Sequence, residues 1–177
     1  MLANVSNHYT HARAILYAFD MSQSPPLSPT FPAESLSRIR VRYSECDPMG
    51  VAHHASYAPW LEIARTDFLR HGGISYAQLE QSGVFLVITR LEIKYRRPIR
   101  YDDVIDVRVQ VVGGGHVKLE HAYELLLIER TPSKTGAIEA VHTELGHTLA
   151  VANTTLACVN NQGKLTALPK WLQHSPT

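Results

Sequence analysis

The residues best suited to chemistry in this chain lie in one short run, Ser44-Glu45-Cys46-Asp47-Pro48-Met49-Gly50-Val51-Ala52-His53-His54-Ala55-Ser56-Tyr57. Pro48 and Gly50 place the Asp47 carboxylate in a tight turn just ahead of a helix start. Backbone N–H groups around His54 and Ala55 would point out of that helix end, with the positive end of the helix dipole behind them. Such a place favours negative charge developing on a carbonyl oxygen. A carboxylate beside an oxyanion site is what acyl transfer to water requires: one group attacks or deprotonates water, and the other holds the tetrahedral oxyanion. On spacing alone a simpler reading stands first, in which Asp47 caps the helix or forms the turn.

The elements that must hold this run are legible from hydrophobic period. Residues 38–43 alternate as a half-buried strand with one charged face. From Tyr57 the apolar residues Tyr57, Trp60, Leu61, Ala64, Phe68 and Leu69 recur at the spacing of one helical face. Ser56 is the expected N-cap, Pro59 falls in the expected first turn, and Gly72-Gly73 supplies the stop. A short helical piece, 75–81, ends at Gly83. Beyond it, 84–95, 104–112, 116–129 and about 144–159 are strand-like, and Gly113-Gly114-Gly115 makes a hairpin of the middle pair. A long loop is expected over 131–142. One strand, one long helix and four long strands, without a βαβ rhythm, predict an α+β fold: a five-stranded antiparallel sheet wrapped round one central helix.

Composition narrows the function classes. A chain of 177 residues that is 45% hydrophobic can build a full core without a metal or disulfide staple. Its two cysteines, Cys46 and Cys158, make neither a disulfide framework nor a four-cysteine zinc site and fit a reducing compartment. The near-balance of 17 Lys and Arg against 16 Asp and Glu speaks against nucleic-acid binding, so any anion site must be local. No apolar run is long enough for a membrane span, and the chain is read as soluble and cytoplasmic.

The domain is expected over 37–170. Residues 1–36 read as an extended or disordered segment, because Pro25, Pro26, Pro29 and Pro32 fall among serines; residues 171–177 read as a tail. The apolar piece 14–19 is too short and too interrupted for a signal peptide. Met21 opens a second candidate start, so residues 1–20 are expected to come from an over-extended reading frame.

A resemblance sharpens the chemistry. The Asp47-x-x-Gly50-x-x-x-His54-x-x-Tyr57 spacing, followed by Trp60-Leu61-Glu62-Ile63-Ala64-Arg65, is similar to the signature of hot-dog-fold acyl-CoA thioesterases of the 4-hydroxybenzoyl-CoA thioesterase group. The segment from Lys94 to Asp103 resembles the basic, proline-containing strand exit of that group. The resemblance implies a hot-dog fold, Asp47 as the catalytic carboxylate (nucleophile or general base), and the His54 backbone N–H as the donor to the thioester carbonyl. It also implies a homodimer or homotetramer joined edge to edge by its sheets, with active sites lined by two protomers; long edge strands would otherwise be an aggregation hazard. No cofactor is expected, since coenzyme A is part of the substrate.

Around that core, Tyr57, Trp60 and Leu61 are candidate walls of the acyl pocket. Glu62 is either a second carboxylate that orders water or the partner of Arg65 in an ordinary ion pair. Arg90, Lys94, Arg96, Arg97 and Arg100 face only Glu92 as a local counter-charge, and one or two of Arg96, Arg97 and Arg100 are expected to grip coenzyme A phosphates. Adjacent His53 and His54 are awkward ligands for one ion, so no metal is expected. Cys46 reads as a small buried hydrophobe in preference to a thiolate nucleophile, and His142 and His147 as surface or loop histidines. Two rival functions stand: a hot-dog hydratase or dehydratase using His53 or His54 with Asp47 or Glu62, and a non-catalytic acyl-CoA binder.

Overall fold

The structure, a computed structural model, describes residues 29–131 and 144–173. Five strands form one antiparallel sheet: β1 (Ser35–Arg40), β2 (Phe85–Tyr95), β3 (Val104–Gly114), β4 (Lys118–Glu129) and β5 (Thr148–Val159), in the order β1-β3-β4-β5-β2. The long helix α1 (His54–His71) lies against the inner face of that sheet, and a short helix α2 (Tyr76–Gln81) follows it. This is the expected α+β architecture. All six residues of the predicted helical face, from Tyr57 to Leu69, are buried, each worth about 1.5–3 kcal/mol for a large apolar side chain. They meet Ile105, Val107 and Val109 of β3 and alternate residues of β4 and β5.

Helix α1 starts three residues ahead of its apolar face. Its N-cap is His53, whose Nδ1 accepts the Ala55 N–H at 3.2 Å; Ser56 lies inside the first turn and its hydroxyl donates to the Glu45 carbonyl at 2.8 Å. Pro59 therefore sits past the first turn, where it withholds the N–H that Ala55 C=O would otherwise receive. At the other end the Ile74 N–H bonds Leu69 C=O and the Gly73 N–H bonds Arg70 C=O, with Gly73 at φ 88°. That is a Schellman stop, and it requires glycine.

Strand β1 runs three residues earlier than the alternation suggested. Its buried positions include Ser35 and Ser37, which carry no hydrophobic signal; Ser37 donates to Asp67 of α1 at 2.8 Å and Ser35 pairs with His71 at 2.6 Å. After Arg40 the Arg42–Glu45 capping box turns the chain off the sheet as a 3-10 turn, Tyr43–Glu45. At β5 the expected start is delayed to Thr148 by a turn over residues 144–147, with Gly146 at φ 82°. Strand β3 runs on to Gly114, and β4 starts at Lys118.

The packed unit also takes in residues on both sides of the expected limits at 37 and 170. Phe31 stacks on Phe68 at 5.4 Å and on Trp171 at 5.8 Å, and Leu172 is buried. Gly72 makes the seat, because a Cβ there would collide with the Phe31 ring. Residues 1–28, and with them the proposed early start, lie outside the described residues, as does the expected loop apart from Thr131. No described helix is long and apolar enough to cross a membrane.

Candidate active site

The loop between β1 and α1 is organised around Glu45, which is 8% exposed. Its Oε1 accepts the Trp60 indole N–H at 2.9 Å and the Arg42 guanidinium at 2.8 Å, and its Oε2 accepts the Arg42 N–H at 2.7 Å. Burial pushes this carboxyl's pKa up, but the Arg42 side chain, the Arg42 backbone N–H and the Trp60 indole outweigh it and hold the pKa below the usual range. Its backbone carbonyl takes the His53 N–H and the Ser56 hydroxyl, both at 2.8 Å.

Two residues on, Asp47 closes a turn: the Gly50 N–H donates to Asp47 C=O and the Asp47 N–H to Val51 C=O, both at 2.9 Å. Gly50 sits at φ 78°, which favours glycine. The Met49 N–H donates to Asp47 Oδ1 at 2.8 Å. Asp47 is thus a turn former, as the simpler reading has it, but only one of its oxygens is used in that way. The other takes no hydrogen bond from the described residues, and the side chain lines a surface cleft of about 380 Å³ together with His54, Tyr57, Tyr95, Arg96 and Arg97.

Accounting for the donors at the start of α1 is decisive. The His53 N–H goes to Glu45, the Ala55 N–H to the His53 ring and the Ser56 N–H to His53 C=O. Among the described residues nothing accepts the N–H of His54 itself. One first-turn donor is therefore left over at the positive end of an 18-residue helix, on a residue that lines the same cleft as Asp47.

The cationic wall is set by the exit of β2. Arg96 and Arg97 both donate their N–H to Leu149 C=O, at 2.9 and 3.0 Å, before Pro98 ends the pairing. Beneath them a buried pair fixes the corner: Arg130 holds Asp103 through Nε at 2.8 Å and Nη2 at 2.6 Å and also bonds Pro98 C=O, while Asp103 accepts the Arg100 N–H. Arg90 and Lys94 are matched by Glu92 at 2.8 and 3.3 Å. Arg96 and Arg97 have no ion-pair partner among the described residues. They also line an adjoining cleft of about 520 Å³ with His147 and Thr148. Arg100 is outside both linings and pairs through its backbone with Val51.

Other expected residues fall elsewhere. Trp60 and Leu61 are 0% and 1% exposed in the core and do not reach the cleft; both belong to the helical face that packs on the sheet. Tyr57 does line it, set edge-to-face against Tyr95 with centroids 4.9 Å apart, and burial pushes its phenol pKa up. Glu62 is exposed, outside the cleft lining, and accepts from Arg65 at 2.9 Å, the ion-pair arrangement of the two considered. The Cys46 thiol is pushed up in pKa by burial and then by Glu45 and Asp47, which disfavours a thiolate. The described residues gather no cluster of His, Cys, Asp and Glu fit for a metal. Glu45 and Tyr95 escaped the sequence reading. For Glu45 the signal was present in the Arg42/Glu45 spacing; for Tyr95 only strand pairing brings it beside Tyr57.

Comparison with known proteins places the chain in a family. Residues 41–175 match the family model described as the thioesterase-like superfamily. The chain is 31% identical to the acyl-CoA thioester hydrolase YbgC of Escherichia coli over 93 residues, which is 52% of this chain and 69% of YbgC. It is also 31% identical to the protein YneP of Bacillus subtilis over 91 residues, 51% of this chain and 66% of YneP. These alignments span about two thirds of each relative's length. Among solved structures, a DHNA-CoA thioesterase from Staphylococcus aureus superposes with a TM-score of 0.63 at 27% identity, covering 76% of this chain and 79% of that one. The chain belongs to the thioesterase-like superfamily, and its sheet-wrapped helix is the hot-dog fold of that family of thioester hydrolases.

Proposed function

We propose that this protein hydrolyses acyl-CoA thioesters to the free acid and coenzyme A, with Asp47 as the catalytic carboxylate and the His54 backbone N–H as the oxyanion donor. The observation that carries the reading is the leftover N–H of His54, a residue that lines the same cleft as Asp47. Asp47 delivers the attack, either by adding to the carbonyl carbon itself or by removing a proton from the attacking water. The carbonyl oxygen gains charge against the helix terminus, the C–S bond breaks, and the thiolate leaves to be protonated; on the direct route this leaves a mixed anhydride on Asp47, which water then cleaves to the free acid and the regenerated carboxylate. No resident metal or cofactor enters this scheme. Arg96 and Arg97 bind coenzyme A phosphates, for which guanidinium groups offer paired donors.

The hydratase alternative would need the His54 imidazole as its base, since His53 Nδ1 is occupied as the cap acceptor, and release of free thiol separates hydrolysis from dehydration. We further propose that a second copy pairs along β2. That strand is bonded only to β5, and Val87, Ile88, Leu91 and Tyr95 along it are 40–54% exposed.

The test is Asp47→Asn assayed on aliphatic and aryl acyl-CoA thioesters. Loss of turnover by a factor of about 10²–10⁴ is expected, with KM little changed. Full activity in the variant, or no turnover of any thioester by the native protein, would overturn the reading. After a single turnover in ¹⁸O-water, label in the Asp47 side chain would establish direct attack with water opening the anhydride at the Asp47 carboxyl carbon.

A further inference from the structure

Two tyrosines stand in solvent on corners close in the chain to the cleft residues Asp47 and Ile99. Tyr43 is 80% exposed and Tyr101 56%, and their rings meet nearly at right angles, 85°, with centroids 5.6 Å apart. Neither hydroxyl has a hydrogen-bond partner among the described residues.

The backbone beneath each ring is fixed without help from the ring. Tyr43 opens the 3-10 turn closed by the Arg42–Glu45 capping box. Tyr101 occupies a corner closed by Asp103 N–H to Arg100 C=O at 3.2 Å, with Asp102 at φ 66°. The two corners are tied together by paired bonds, Asp102 N–H to Val41 C=O at 3.0 Å and Val41 N–H to Asp103 C=O at 2.9 Å. A pair of large rings that is exposed, unbonded and held on a rigid double corner is preorganised for a planar partner.

Position and charge say which partner. Tyr101 follows Arg100 and is two residues from Ile99, a cleft residue, so their Cα atoms lie within about 7 Å. Tyr43 precedes Asp47 by four residues. Both corners therefore adjoin residues of the cleft that Arg96 and Arg97 also line. Cations and an aromatic face around one cleft match a nucleotide, whose phosphates take the guanidinium groups and whose base stacks on a ring.

We propose that Tyr43 and Tyr101 form the base-binding corner for the nucleotide end of the substrate, with the adenine of coenzyme A stacked on one ring and edged by the other. This rests on the acyl-CoA reading above. A thioester carried on a protein, which has no adenine, would gain nothing from the corner.

The probe is adenosine 3′,5′-bisphosphate, the nucleotide end alone, titrated by calorimetry into the full-length protein and into Tyr43→Ala, Tyr101→Ala, Tyr43→Phe and Tyr101→Phe. Each alanine variant is expected to weaken binding about tenfold, and each phenylalanine variant to retain it. In turnover, the alanine variants should raise KM for acyl-CoA by the same factor at unchanged kcat, and leave hydrolysis of the matching S-acyl-pantetheine untouched. The inference is overturned if the native protein does not bind the bisphosphate, if the alanine variants bind it normally, if both thioesters lose equally, or if only sedimentation changes. Binding of the bisphosphate without any thioester turnover would sink the hydrolase reading and leave the corner standing.

Discussion

The indole N–H of Trp60 donates to Glu45 Oε1 at 2.9 Å, and this one bond ties the loop that carries Asp47 to the second turn of the helix that carries His54. Both partners are buried, so the bond is sheltered from competing water. The same carboxylate also holds the Arg42 N–H, and the Glu45 carbonyl holds the His53 N–H. The register between carboxylate and helix terminus is therefore fixed by a residue that lines no cleft.

Replacing that carboxylate should slow turnover without weakening substrate binding. In Glu45→Gln the amide offers only one acceptor where three donors converge, so the loop must shift. A misplacement near 1 Å can cost about 10² in rate, and a fall in kcat of about 10–100-fold with KM nearly constant is expected. Trp60→Phe removes a single bond and should lose less. Steady-state kinetics on both variants, with a thermal melt to verify folding, check this. The sign of the linked pH effect follows from the lowered Glu45 pKa: its stabilisation is present above about pH 4.5, the ordinary glutamate value, and is lost as pH falls through the folded pKa. Glu45→Gln should show a smaller acid-induced drop in Tm than the native protein.

Asp47→Asn separates chemistry from architecture in a different way. Its turn can survive, because an asparagine oxygen still accepts the Met49 N–H. The variant should keep the native Tm within a few degrees while losing turnover, and a large loss of stability would assign Asp47 to the fold instead.

Arg96→Ala and Arg97→Ala should raise KM for acyl-CoA several-fold and flatten its dependence on salt. Neither arginine has a counter-ion among the described residues, so each leaves a local positive field over the cleft. Arg90→Ala is the control: Arg90 is already matched by Glu92 at 2.8 Å and should leave KM unchanged. The measurement is KM across an ionic-strength series.

His121, 3% exposed on the inner face of β4, should make the protein acid-sensitive. Burial first, and then the Arg65 charge, push its pKa down to about 4 from 6.5. The unfolded chain binds this proton below pH 6.5 and the folded one only near pH 4, so stability falls as pH drops across that window. The full span corresponds to about 3 kcal/mol. Denaturant melts of His121→Gln between pH 7 and 4 should show a shallower fall than the native protein; parallel curves would reject the assignment.

Pairing along β2 predicts a two-fold dimer. Leu91→Lys places a charge on the exposed edge of a strand bonded on one side only. Sedimentation velocity should show a dimer for the native protein and a monomer for the variant at micromolar concentration. An unchanged sedimentation coefficient would exclude this edge as the interface.

What the amino-acid sequence determined by itself is whatever depends on local period and local turn chemistry. The helical face from Tyr57 to Leu69, the stop at Gly72-Gly73, the hairpin at Gly113-Gly114-Gly115 and the turn at Asp47-Pro48-Met49-Gly50 are all of this kind, because each is enforced by residues close in the chain. Element edges were less legible. The start of β1 is set by Ser35 and Ser37, whose burial is satisfied by Asp67 and His71 on a helix some thirty residues away. The helix start is set by His53, a residue type with no strong capping signal. Only the tertiary structure decided which N–H at that start is left unpaired, because its neighbours are taken by Glu45 and by the His53 ring. It also decided which cations remain unmatched, since the segment from Arg90 to Arg97 is one charged run in sequence until β2 pairs with β5 and Pro98 turns its end into the cleft. Trp60 and Leu61 share a period with Tyr57, yet a helix packed on a sheet buries the middle of its apolar stripe and leaves only the end at the rim. Chain-local physics set the turn at Asp47 and the helix; long-range packing, through Glu45 and Trp60, joined the two.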